Sequence, residues 1–239
     1  MPGRGSSSLA LASAALLTLI VATACGDGAP EPAATEYVGV TSSCRATSGF
    51  STTGDNAYFP LQPGETRRYE GTEDGEEVVL VITTLGDTET VAGVETRVVE
   101  ERESKGGEVV EVSRNFFAAA SDGTVCYFGE DVDIYEGGEI VSHEGAWRAG
   151  QAGAVQGIMM PGQPAVGQSY DQERAAEIAQ DHAEVLSTSE SLTVPAGAFA
   201  DVLKARETTP LEPGVEGFKW YAPGVGLVID GVLELVQGP

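Results

Sequence analysis

The sequence predicts a mainly β protein, an antiparallel meander forming a curved sheet or a partly open barrel. Short runs rich in valine, isoleucine and threonine recur along most of its length. Glycine-bearing dipeptides stand between those runs, where tight turns need them. Glycine is abundant, at 31 residues, while aromatic residues make up only 7% of the chain, as suits a turn-rich β protein.

The elements follow in order. Residues 77–84 are rich in β-branched side chains and too few for a good helix, so they read as a strand. Residues 96–103 form the next, with Val98 and Val99 at the centre. In 109–117, Val110, Val112 and Phe116 share one face, while Glu111, Ser113 and Asn115 share the other with Val109 and Phe117 at its ends. That alternation marks a half-buried strand. Strands over 124–128 and 140–141 continue the series, and Asp74-Gly75, Gly86-Asp87, Gly106-Gly107, Asp122-Gly123 and Gly137-Gly138 punctuate it.

The middle reads differently. Residues 145–167 are rich in glycine and alanine and suggest a long loop, with Ile158, Met159 and Met160 as material for a lid. The helical propensity of Glu173 to Ala179 predicts a short surface helix near 171–186, with Ile178, Ala179, Ala183 and Leu186 as a thin apolar stripe. Strands return at 191–194, 202–209, 217–221, 226–229 and 233–236.

The N-terminus carries an address. Arg4 precedes an uncharged run over 9–24, too short for a comfortable membrane span, and small residues precede Cys25. Residues 1–24 therefore read as a signal peptide. Ala22-Thr23-Ala24-Cys25-Gly26 resembles the lipobox of bacterial lipoproteins, and the resemblance implies a lipidated Cys25 that ties the chain to a membrane. An ordinary signal peptidase would cut the same bond, leaving Cys25 as the first residue of a secreted chain. Residues 25–40 suit a flexible tether, since 26–35 hold almost nothing to bury. A single domain over 41–239 follows. The location expected is extracytoplasmic, lipid-anchored to the bacterial cell membrane.

Of three cysteines, a lipidated Cys25 would leave Cys44 and Cys126 as a pair in an oxidising compartment. The alternative is two buried free thiols. A metal site is poorly supported, because no Cys-x-x-Cys and no histidine cluster accompanies them.

A net charge of -24 argues against nucleic acid and against anionic headgroups as partners. Glu130, Asp131, Asp133 and Glu136 form the densest acidic cluster, but the spacing lacks the glycine of an EF-hand, and a solvated loop is the default. His143 and His182 lack the spacing for zinc hydrolysis, and His182, between Asp181 and Glu184, suits a surface position. No serine sits in a nucleophile elbow. Tyr58, Phe59, Trp147, Trp220 and Tyr221 suit a core more readily than a stacking platform. No catalytic, metal or cofactor residue is nominated.

Three segments add a family likeness: Tyr58-Phe59-Pro60-Leu61-x-Pro63-Gly64, Val194-Pro195-Ala196-Gly197-x-Phe199, and Tyr221-Ala222-Pro223-Gly224-Val225-Gly226-Leu227-Val228. Together they resemble uncharacterised bacterial lipoproteins of the TapB-like, domain-of-unknown-function type. The resemblance implies a β-rich extracytoplasmic domain and brings no activity. The function expected is a non-catalytic binding or structural role through a curved sheet, with a protein or glycan as partner. A carrier of an apolar ligand in a half-barrel is the first alternative. A carboxylate-based hydrolase is the second, and it would require convergent carboxylates in a cleft with shifted pKa values.

Overall fold

A computed structural model describes residues 43–46 and 48–239; residues 1–24, expected to be a signal peptide, and 25–40, expected to be a tether starting at Cys25, lie outside the described residues. Fifteen strands are β1 (Thr66–Glu73), β2 (Glu76–Val91), β3 (Val94–Lys105), β4 (Glu108–Ala119), β5 (Val125–Glu136), β6 (Glu139–Ser142), β7 (Trp147–Arg148), β8 (Val155–Met160), β9 (Ser169–Asp171), β10 (Glu173–Arg174), β11 (His182–Val194), β12 (Gly197–Thr208), β13 (Glu216–Ala222), β14 (Gly226–Asp230) and β15 (Leu233–Gln237). They form one open antiparallel sheet in the order β10-β8-β5-β4-β3-β2-β1-β15-β14-β13-β12-β11-β9, with β6 and β7 paired to β5.

This is the mainly β meander the sequence predicts. Its first five strands pair in sequence order, its last five do the same, and β15 lies beside β1 to join the two runs. The hydrogen-bonded path does not close, yet its two ends are neighbours in the chain, since only Gln172 separates β9 from β10. The Gln172 N–H donates to the Asp181 carbonyl at 2.8 Å. Gly157 on β8 lets the ends approach, because a Cβ there would collide with the carbonyl oxygens of Asp171 and Gln172.

No helix occurs among the described residues, which overturns the short helix predicted near 171–186. That stretch holds β9, β10 and the start of β11, with Ala175 and Ala179 exchanging backbone hydrogen bonds across a tight turn. The local propensity loses to sheet pairing because the predicted stripe is thin: Ile178 is exposed, whereas Ala175 and Ala183 are buried by their sheet neighbours. Residues 145–167 are likewise not a simple loop. Ile158 and Met160 are fully buried in β8, so the segment is a wall of the sheet and no lid.

The outer face of β4, β5 and β8 is covered by the chain preceding β1. Cys44 is disulfide-bonded to Cys126 with a Cα separation of 5.5 Å, which fixes that cover to β5. Phe50 meets Phe128 edge-on at 5.4 Å, and Ser51 exchanges backbone hydrogen bonds with Ala119 at 2.8 Å. Asn56 is buried and fully used. Its amide donates to the Gly123 and Pro161 carbonyls, and its oxygen accepts the Tyr58 and Phe59 N–H groups. Closing a loop of 82 residues, the disulfide contributes about 4 kcal/mol through the chain entropy it removes.

Candidate functional site: an acidic cavity on the inner face

The inner face of the first meander carries acids and amides among its apolar side chains. Residues directly opposite each other in antiparallel strands point to the same side. Thr84, Val99, Asn115 and Glu130 form one such row across β2 to β5. Ile82, Glu101 and Ser113 form the next, and Leu80, Glu103 and Glu111 the one beyond. Thus Glu111, Ser113 and Asn115, the polar side of the β4 alternation, point inward. Val112 and Phe116 point outward and are covered all the same, Phe116 by the Arg148 guanidinium 4.5 Å from its ring centroid.

These rows wall a cavity of about 100 Å³. Its far wall comes from β12 to β14 with Glu207, Lys219, Tyr221 and Asp230, and one side from the β9–β10 junction with Gln172 and Glu173. Seven carboxylates line it: Glu101, Glu111, Glu130, Glu173, Asp181, Glu207 and Asp230. The cations in the wall are Arg67 and Lys219, both engaged. Arg67 pairs with Glu65 at 2.7 Å and donates to the Val225 carbonyl at 2.6 Å. The Lys219 ammonium lies 3.2 Å from Glu207 and 3.7 Å from Asp230.

The electrostatics follow from burial. Glu130, 2% exposed, has its carboxyl pushed up to about 8 by desolvation, then by the charges of Glu111 and Glu101, against its hydrogen-bond contact with the Tyr127 hydroxyl. Desolvation, with Glu103 and Glu101, raises Glu111 to about 7. Asp230 rises to about 7 by desolvation despite Lys219, and Asp181 to about 6 by desolvation and Glu207. Glu173 is raised well above the carboxylate range by burial and by Asp181, whose N–H it accepts at 2.5 Å. Burial works against the charge of Lys219, but Asp230 and Glu207 outweigh it and hold the ammonium protonated.

Hydrogen bonds order part of the wall. The Tyr127 hydroxyl donates to Asn115 Oδ1 at 2.6 Å, the Asn115 amide donates to Ser113 at 3.2 Å, and the Gln172 amide donates to Glu207 at 3.0 Å. Tyr221 differs. Its side chain is 4% exposed and lines the cavity, yet its hydroxyl has no hydrogen-bond partner among the described residues.

The residues singled out by sequence are redistributed. The acidic cluster is no solvated loop, because all four members lie in β5. Glu130 points into the cavity, Asp131 pairs with Arg148 at 2.6 Å, and Asp133 contacts Arg114 and His143. Phe59 and Tyr221 line the cavity, whereas Trp147 is buried against Tyr127 with its indole N–H unpartnered among the described residues. Among the described residues, no group of three or more His, Cys, Asp or Glu side chains is arranged to hold a metal ion.

His182 is not the simple surface residue expected. Its Nε2 lies 2.6 Å from Ser169 Oγ, and its Nδ1 lies 3.2 Å from Asp171 Oδ1, the order of a serine-hydrolase relay. Strand register produces this, since His182 is opposite Asp171 and Ser169 is two residues along on the same face. Asp171 also pairs with Arg174. The neighbouring surface pocket touches His182 and Asp171 but not Ser169, so it gives an acyl group no seat against that hydroxyl. We read the trio as a tie between the edge strand and β11.

Comparisons with known proteins find no family model, no curated protein and no solved structure that matches the chain.

Proposed function

We propose that this chain is a membrane-anchored lipoprotein of the bacterial cell envelope whose β domain holds a small polar molecule in its inner cavity, without catalysis. Supporting the address are the lipobox-like Ala22-Thr23-Ala24-Cys25, the TapB-like segments, and a disulfide that suits an oxidising compartment. One observation carries the binding role. Glu111, Glu130, Glu173 and Asp181 surround a void and, among the described residues, have no lysine, arginine or histidine within ion-pair distance. Burying carboxylates without cations is costly, and an apolar lining of the same shape would be more stable. Such a wall is explained by a ligand. It also disfavours the apolar cargo of a half-barrel carrier.

Hydrolysis is the second reading. Convergent acids raised toward neutral pH are what carboxylate-based hydrolases use. Both readings place a small molecule in the same cavity.

Native mass spectrometry of the protein from its own membrane fraction tests the proposal. A one-to-one adduct in the wild type that is absent from a folded Ser113→Leu variant supports it. An empty protein that no member of a chemically diverse small-molecule panel stabilises overturns it. Turnover of a bound glycoside or ester would replace the non-catalytic reading with the hydrolytic one.

A further inference from the structure

Resting on the binding role proposed above, we infer that the ligand is a small organic ammonium ion, seated between the unpaired carboxylates and the aromatic side chains of the cavity.

Charge is the first argument. The wall lacks positive charge on the side of Glu111, Glu130, Glu173 and Asp181, because Arg67 is held by Glu65 and Val225, and Lys219 by Glu207 and Asp230. An entering cation displaces protons that burial holds on these acids and pairs with the carboxylates so formed, whereas an anion finds no free cation in this part of the wall. The shape of the lining then separates organic from metal cations. Calcium wants six to eight oxygens converging at about 2.3–2.6 Å, and the described residues hold no such group. The acids instead share the lining with aromatic rings. Phe117 and Tyr127 stack at 4.9 Å, and Tyr69 and Tyr221 also line the cavity. Ring faces attract an ammonium group, and rings together with Met159 accept the methylenes that carry it.

Tyr221 is an independent pointer. The residue is 4% exposed, and its hydroxyl, without a partner among the described residues, is left open to a molecule that enters the cavity. It is both donor and acceptor, so an ammonium N–H completes it. Size sets the limit. A single water needs about 10–15 Å³ of such space, so a cavity of about 100 Å³ takes a compact molecule and excludes a long chain.

The test is isothermal titration calorimetry at pH 7.5 with 1,4-diaminobutane and with 1,4-butanediol, a neutral match of equal length. The diamine should bind one-to-one and at least ten-fold more tightly than the diol. Glu130→Gln or Glu111→Gln should weaken it ten-fold or more, and Tyr221→Phe about three-fold, in variants with wild-type circular dichroism. Equal binding of diamine and diol, or no loss in either carboxamide variant, overturns the inference. Saturable binding of the diol or of Ca²⁺ alone, abolished by Ser113→Leu, also overturns it but leaves the cavity as a binding site. No binding of any of the three probes overturns the inference and leaves the binding role to the broader small-molecule panel.

Discussion

The two faces of β4 and β5 differ more than two separate domains often do. Outward, Phe116, Ala118, Cys126 and Phe128 are sealed by the disulfide-linked cover and by Arg148. Inward, Glu111, Ser113, Asn115 and Glu130 surround open space. Alternate residues of the same strands therefore serve opposite ends. The dry face holds the fold together, and the wet face spends part of that stability on charges that a binding site requires.

Breaking the dry face has the largest expected effect. Phe128 is fully buried against Phe50, so Phe128→Ala should cost about 3–5 kcal/mol in urea unfolding. Losing the Cys44–Cys126 bridge should cost about 4 kcal/mol, read by the same measurement on Cys44→Ser/Cys126→Ser. Neither change touches the cavity wall, so the fraction that stays folded should keep its ligand affinity.

The wet face should respond to pH in the opposite sense to a protein stabilised by carboxylate ion pairs. Glu111 and Glu130 keep protons in the folded state that the unfolded chain releases near pH 4.5. Their stabilising contribution is complete below that pH and is lost as pH rises through about 7 and about 8. The surroundings that set this are Glu101, Glu103, Glu173, Asp181 and the Tyr127 hydroxyl. Melting temperature should therefore fall by roughly 5–10 °C between pH 5 and pH 9, for a linked loss of a few kcal/mol in a domain of this size. Scanning calorimetry across that range checks it.

Glu130→Gln sharpens the comparison at one atom. It removes the ionisation cost and keeps a polar group, so it should stabilise by roughly 2 kcal/mol at pH 9 and by about nothing at pH 4. The smallest effect should come from Trp147→Phe. That change gives up some buried area but also deletes an indole N–H without a partner, and the two should cancel to within about 1 kcal/mol.

Much of the fold was legible because it rests on local chemistry. The β-branched runs and the glycine turns gave the meander, and Cys44 and Cys126 were correctly paired. The site was illegible for a specific reason. The alternation of β4 says that one side is polar but not whether that side meets bulk water or an internal void. Glu130 was hidden in an acidic run in which Asp131 and Asp133 face outward partners. Lys219 gave no local sign of its burial, since its strand neighbours Phe218 and Trp220 lie on the opposite face and its partners Glu207 and Asp230 come from other strands. The stretch 171–186 failed because pairing with distant strands, invisible to local propensity, decides it.

The inward turn of the acidic face is best tested by a carbon-13 NMR titration of the Glu130 carboxyl in the intact domain. A midpoint near 8 is the result expected if Glu130 lies in the cavity. A midpoint near the ordinary value of about 4.3 would place the carboxylate in water and contradict the internal site.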